Sequence, residues 1–132
     1  MVDIERDSYI SLGFGQGMTN VDMMAWRSEA DIAVAEDYWS TSYGAPKLDD
    51  VQSLSTPSIV PNADGSRVTF TTTRLLDTGE YSEDFLVPLN TEIDLVWAIK
   101  TSTGAWVYHD ARNNFRATFT ETLGNPPAKV VP

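Results

Sequence analysis

Apolar and polar positions alternate along "SRVTFTTTRLL", where Val68, Phe70, Thr72 and Arg74 are set against Thr69, Thr71 and Thr73. "EIDLVWAIK" repeats the pattern, with Ile93, Leu95, Trp97 and Ile99 against Asp94, Val96 and Ala98. A period of two sends successive side chains to opposite faces, so both segments are expected to be strands with one richer face. "YISLGFG", "AWVYH" and "FRATFTETL" supply three more strand candidates. Turn signals separate such segments at "GFGQG" (13–17), "YGAP" (43–46), "PNADGS" (61–66), "DTGE" (77–80), "TSTG" (101–104) and "RNN" (112–114), and the "ADG" ahead of "SRVTF" is a hairpin signal. Short strands broken by frequent turns predict an all-β antiparallel β-sandwich.

One segment stays open at this level. In "DMMAWRSEADIAVAED" the positions Met23, Trp26, Ala30, Ala33 and Val34 fit a helical stripe, yet "DIAVAED" also alternates. The chain of 132 residues fits one domain, taken as residues 1–123, followed by a proline-rich tail or linker over 124–132, which includes "GNPPAKVVP". No internal repeat or low-complexity tract is present.

Composition narrows the function classes. A hydrophobic content of 42% with four Trp, five Tyr and five Phe fits a packed core rather than a disordered segment. The net charge of -10 repels phosphate backbones and anionic lipid, which argues against nucleic acid and membrane surfaces as partners. Without cysteine there is no disulfide, thiolate metal site, cysteine nucleophile or C-x-x-C-H attachment of haem. No apolar run of about eighteen residues exists to span a bilayer, and "MVDIERDSYI" is too charged for a secretory signal.

Candidate chemistry centres on His109, the single histidine of the chain. "GFGQGM" is a fragment of a dinucleotide fingerprint, but that motif needs a βαβ unit, and the better reading is a flexible turn at Gly15 and Gly17. A Ser-His-Asp hydrolase would have to use His109 with Asp110 or a distant acid. There is no G-x-S-x-G elbow, and nothing among the 19 acids singles out a carboxylate pair. The ordinary reading of His109 is a half-exposed polar residue at a strand end. Its surroundings raise another: Trp106, Tyr108 and Phe115 offer flat apolar walls, and "GQGM" offers a sulfur on a permissive loop. Imidazole nitrogen with thioether sulfur is an axial pair for haem iron in electron-transfer cytochromes. Met18, Met23 and Met24 compete for the sulfur role, and each is ordinarily a core filler.

The segments "YISLGFGQGMTNVDMMAW", "AEDYWSTSYGAPKLDD", "TTRLLDTGEYSEDF" and "IDLVWAIKTSTGAWVYHDARNNF" resemble, in order, the landmarks of the DOMON superfamily over about residues 9–120. They supply a Gly-Phe-Gly strand end with a methionine loop, a Pro-x-x-Asp element, an Arg-x-Leu-x-Thr-Gly-acidic turn and a Trp-Ala strand running to Tyr-His. The resemblance implies an immunoglobulin-like sandwich of the haem b-binding cytochrome type, similar to the cytochrome domain of cellobiose dehydrogenase. By position it puts Met18 on the ligand methionine and His109 on the ligand histidine, with Trp97, Tyr108 and Phe115 as packing residues around the haem. It makes "DMMAW" and "DIAVAEDYW" strands, so that Met23 and Met24 point to opposite faces, and Met24 is the first substitute should Met18 not be the ligand. Arg74 is expected in a structural ion pair with Asp77, Glu80 or Asp84 rather than on a propionate. Family members carry a further strand or two ahead of the first landmark, and only eight residues precede Tyr9 here.

With both axial positions filled by protein, the expected chemistry is one-electron transfer by a b-type cytochrome domain that is not itself an enzyme. The expected partner is a redox protein or fused redox domain, such as a flavin dehydrogenase or membrane cytochrome, in an extracellular, periplasmic or lumenal setting. The alternative is a haemless module of the same family that binds carbohydrate or a partner protein.

Overall fold

The computed structural model describes residues 1–121, so the tail expected over 124–132 lies outside the described residues. Strands run over Val2–Glu5 (β1), Ser8–Phe14 (β2), Val21–Glu29 (β3), Ile32–Ser40 (β4), Lys47–Leu48 (β5), Leu54–Pro61 (β6), Arg67–Arg74 (β7), Glu92–Lys100 (β8) and Ala111–Thr118 (β9). They form a three-stranded sheet, β1-β7-β6, and a six-stranded sheet, β5-β4-β3-β2-β8-β9. All pairings between these strands are antiparallel.

The alternation of β7 is what joins the sheets. Val68 and Phe70 pack with Ile4 of β1 and Trp26 of β3, and Ile10, Leu12, Met24, Ala33 and Ala35 of the larger sheet close around them. Phe70 is fully buried, and the Trp26 indole N–H donates to Thr72 Oγ1 at 3.0 Å. Apolar residues from two facing sheets in one cluster define a β-sandwich core. The opposite face of the large sheet carries its own cluster of Val21, Met23, Ala25 and Tyr38, with Val96 and Trp106 against it. A sheet apolar on both faces needs a second cover. Among the described residues no third sheet supplies it; loops do.

The open segment resolves as the β3–β4 hairpin. Glu29 pairs with Ile32, leaving Ala30 and Asp31 as a two-residue turn in which Ala30 has φ 52°. That backbone cannot continue a right-handed helix, and the Ala30 N–H is held by Asp7 Oδ1 at 2.7 Å. Two other expectations are corrected. "AWVYH" is not a strand: its backbone turns on itself through Val107 N–H to Ala105 O (2.9 Å), and the Tyr9 hydroxyl takes the Val107 carbonyl at 2.8 Å, so no ladder forms. "RNN" is no turn but part of β9, where Arg112 pairs with Ala98, Asn113 with Trp97 and Asn114 with Val96. The eight residues ahead of Tyr9 do hold a strand, β1, paired to β7.

Candidate functional site

A cavity of about 280 Å³ opens on the outer face of the six-stranded sheet. Its floor follows from strand alternation: Tyr9 and Ser11 of β2, Met23 of β3, and Val96 and Ala98 of β8 all point outward. Gly13 continues that row. A Cβ there would stand 2.7 Å from Val21 Cγ1 and 3.0 Å from Val96 Cγ1, so only glycine lets these two side chains close beside it. The walls come from three loops, which bring Met18, the Tyr43–Pro46 turn, and the stretch from Trp106 to His109 to one place.

Met18 and His109, 91 positions apart in the chain, thus line one cavity. The Met18 loop is tied to three strands. The Ser40 hydroxyl donates to the Met18 carbonyl, the Asn114 amide to the Gln16 carbonyl at 2.9 Å, and the Gln16 amide to Asp94 Oδ2 at 2.8 Å. These bonds fix the loop's backbone and leave the thioether free of that task.

The His109 loop is anchored at both ends. Glu29 accepts from the Thr103 hydroxyl at 3.0 Å and from the Gly104 N–H, while Arg27 Nε donates to the Gly104 carbonyl at 2.7 Å. At the other end Asp110 accepts from Lys100 Nζ (2.7 Å), Thr101 N–H (2.8 Å) and the Thr101 hydroxyl (2.9 Å). Those bonds hold the Asp110 carboxyl down at about 2, so it is ionised under ordinary conditions. Between the anchors, the Trp106 ring lies against Tyr9 (4.8 Å between centroids) and edge-on to Tyr38 (5.1 Å), with the Arg27 guanidinium 5.0 Å above it. His109 makes no hydrogen bond among the described residues, and its ring sits 4.6 Å from that of Tyr108. It is half-buried, as a strand-end histidine ordinarily is, but it faces a cavity.

Gly104 is the tightest point of this loop. A Cβ there would collide with the Ser28 carbonyl group, which is backbone and cannot swing away. Gly104→Ala is therefore expected to lift the loop off β3 and cost about 1–3 kcal/mol. Thermal unfolding checks the loss, and an unchanged Tm would contradict the packing described.

Trp97 borders the cavity from between Val96 and Ala98, but its pairing with Leu12 puts its side chain on the core side of the sheet. Tyr108 lines the cavity mouth and is 81% exposed. Phe115 pairs with Leu95, a core-side residue, and is not brought to the cavity. The order of substitute ligands changes as well. Met23 lines the cavity, whereas Met24 packs in the sandwich core, so Met23 and not Met24 is the second methionine within reach. Tyr9, Tyr43 and Arg112 were not singled out by the sequence. The register of β2 against β8 and of β8 against β9 carries Tyr9 and Arg112 to one place, and the loop after β4 brings Tyr43 to them.

A second cluster is buried nearby in the fold. Asp22, Asp37 and Asp84 each offer a carboxylate oxygen, all within 4.8 Å of one another. Arg74 supplies the positive charge there: Nη2 lies 2.6 Å from Asp22 Oδ2 and 4.0 Å from Asp84 Oδ2. Of the partners expected for Arg74, Asp84 is present and Asp77 and Glu80 are not. The dominant partner is Asp22, from β3. Burial pushes Asp22 up despite the Phe85 N–H and Arg74. Burial, reinforced by Asp22 and the neighbouring acids, pushes Asp37 up to about 8, and burial with Glu83 nearby takes Asp49 to about 7.

Raised acids give a stability change of definite sign. Between about pH 4, where carboxyls of the unfolded chain ionise, and pH 7 to 8, the folded chain holds protons that the unfolded chain has released. Stability should therefore fall as pH rises through this window, by up to about 1 kcal/mol per pH unit for each such group. Denaturant midpoints at pH 5, 6, 7 and 8 should decline for the wild type and flatten in Asp37→Asn, which keeps an acceptor for the Ser53 N–H. A midpoint rising over this range would contradict the assignment.

A family profile described as "DOMON domain" matches residues 2–100. Solved structures similar to the chain include two cytochrome domains. One is the cytochrome b domain of pyranose dehydrogenase from Coprinopsis cinerea, at 13% identity and TM-score 0.60, covering 87% of this chain and 64% of that one. The other is the cytochrome domain of Myriococcum thermophilum cellobiose dehydrogenase, at 12% identity and TM-score 0.62, covering 89% and 64%. The chain thus spans under two thirds of both of these structures. No curated protein sequence matches it.

Proposed function

Because the chain belongs to the DOMON family, we propose that it is a b-type cytochrome domain that holds one haem b non-covalently and takes part in one-electron transfer. The observation that carries this reading is that Met18 and His109 line the same cavity. A soft thioether and an imidazole are the axial donor set of low-spin electron-transfer haems. The cavity residues fit the group: the floor of Val96, Ala98 and Met23 is apolar, and Trp106 and Tyr9 add flat walls. The two similar structures are themselves cytochrome domains.

When bound, the haem would supply an Fe(III)/Fe(II) couple. The chain's residues would hold and shield it: Met18 and His109 would hold the iron, Tyr108 would lie against the imidazole, and the Trp106 stack would keep water out. A haem held by two side chains of the protein would have no position left for substrate, so its role would be to carry electrons rather than to catalyse. The partner is a redox protein or a fused redox domain, a reading supported by the two similar cytochrome domains belonging to dehydrogenases, and the setting is extracellular, periplasmic or lumenal. A haemless binding module is the second reading, favoured by the exposed Tyr43 and Tyr108 at the cavity mouth.

Titration of the purified protein with haem separates them. Saturation at one haem per chain, with a sharp Soret band and split visible bands on dithionite reduction, is expected. A spectrum with only tryptophan and tyrosine absorption after reconstitution and desalting would overturn the cytochrome reading.

A further inference from the structure

The cavity is charge-inverted relative to the molecule around it. The chain carries 19 acidic residues and a net charge of -10, yet among the described residues no Asp or Glu lines the cavity, while Arg112 does. Arg112 is also set apart from every other lysine and arginine among the described residues. Arg6, Lys47, Arg67, Arg74, Lys100 and Arg116 each stand within 4.0 Å of a carboxylate. Arg27 is engaged by the Gly104 carbonyl and the Tyr38 hydroxyl. Arg112 has neither a carboxylate nor a hydrogen-bond partner among the described residues. In so acidic a protein, a guanidinium left without a counter-charge beside a cavity stands ready for an anion brought by the ligand.

Its place in the strand supports this. Arg112 is the second residue of β9, pairs with Ala98 and shares the cavity face with Asn114 and Arg116. Those two neighbours are committed, Asn114 to the Gln16 carbonyl and Arg116 to Asp94 and Glu92. The nearest acid in sequence, Asp110, is committed to Lys100 and Thr101. Three residues beyond His109, Arg112 borders the same opening as the imidazole, with the exposed Tyr108 and Tyr43 completing the rim.

We infer that Arg112 receives the carboxylate of a haem propionate and so fixes which edge of the porphyrin faces the cavity mouth. This rests on the haem reading above and adds to it an anchoring residue distinct from the axial ligands. Arg74, the other arginine considered for that task, is spent in the buried acid cluster.

The test uses haem b and its dimethyl ester, which keeps the porphyrin and iron but removes both carboxylate charges. Each is titrated by the Soret band into wild type, Arg112→Gln and Arg112→Lys, with thermal unfolding as a check that the fold is intact. Wild type should prefer haem b over the ester by roughly five- to tenfold, the range open to a solvent-accessible, two-pronged guanidinium–carboxylate pair. Arg112→Gln should lose that preference by weakening haem b alone, and Arg112→Lys should keep part of it. The same preference in wild type and Arg112→Gln would overturn the anchor and leave the cytochrome reading standing. No saturable Soret change with either porphyrin in wild type would overturn both.

Discussion

His109→Ala is expected to reduce haem affinity by roughly two orders of magnitude or more and to abolish the low-spin spectrum, while leaving the apo fold almost unchanged. The loss follows from counting donors. His109 is the chain's one imidazole, and no cysteine is present to replace it. The cavity's remaining lining offers sulfur from Met18 and Met23 but no second nitrogen base of that kind. The intact fold follows from the loop's construction. His109 makes no hydrogen bond among the described residues, whereas Asp110, Gly104 and Arg27 hold the segment on either side. A loop anchored at both ends tolerates truncation of an unbonded side chain between them, so the apo stability should shift by less than about 0.5 kcal/mol. Soret titration and thermal unfolding of the same preparation check both halves. Retention of a low-spin spectrum would remove His109 from the site, and collapse of the apo fold would make it structural.

Arg74→Ala should produce the largest loss of stability in the molecule, about 3–5 kcal/mol. Its side chain is 6% exposed and those of Asp22 and Asp84 are 1% exposed. The guanidinium also donates to the Phe85 carbonyl at 3.1 Å and the Leu75 carbonyl at 3.1 Å, and stands 5.0 Å above the Phe14 ring. Through these contacts one side chain ties the segment after β7 back onto β3. Its removal leaves several buried carboxyls with no cation. Asp22 and Asp37, which burial already pushes up, can escape by taking up protons, so the deficit should shrink between pH 7 and pH 5. Lysine should rescue poorly, since one ammonium cannot reach Asp22 and both carbonyls at once. A folded domain typically holds only about 5–15 kcal/mol in all, so unfolding by denaturant will show the change clearly. A cost below about 1 kcal/mol, or one independent of pH, would contradict this role for Arg74.

The alternating segments were legible because each spends one face on a core. β2, β7 and β8 follow their hydrophobic pattern within a residue or two. β6 escaped notice because Pro57 and Pro61 interrupt it. It lies at the edge of its sheet, with a shift in register between Ser55 and Ser58, where missing N–H donors cost little. "AWVYH" has the composition of a strand but serves as a lid. Trp106 is drawn onto Tyr9 and Tyr38, and that packing outweighs any ladder. "RNN" has the composition of a turn but lies in β9, because the backbone of β8 offers it a full set of pairing partners. Met18 and His109 were reached through a family resemblance. The residues alone left three methionines in competition, and strand alternation has since set Met24 on the far side of the sheet from His109. Pairings across the fold were the least visible. Asp22 and Arg74 are 52 positions apart, and nothing local to either one announces the other. Arg112 likewise gains its meaning only from having no paired carboxylate among the described residues, which no linear pattern displays.

Carbon monoxide offered to the reduced, haem-loaded protein interrogates the two axial positions at once. If Met18 and His109 both bind the iron, wild type should keep its spectrum under carbon monoxide, and Met18→Ala should shift at once to a carbonyl-bound Soret band. A wild-type protein that takes up carbon monoxide, or a Met18→Ala protein that refuses it with its low-spin bands intact, would contradict ligation by this pair.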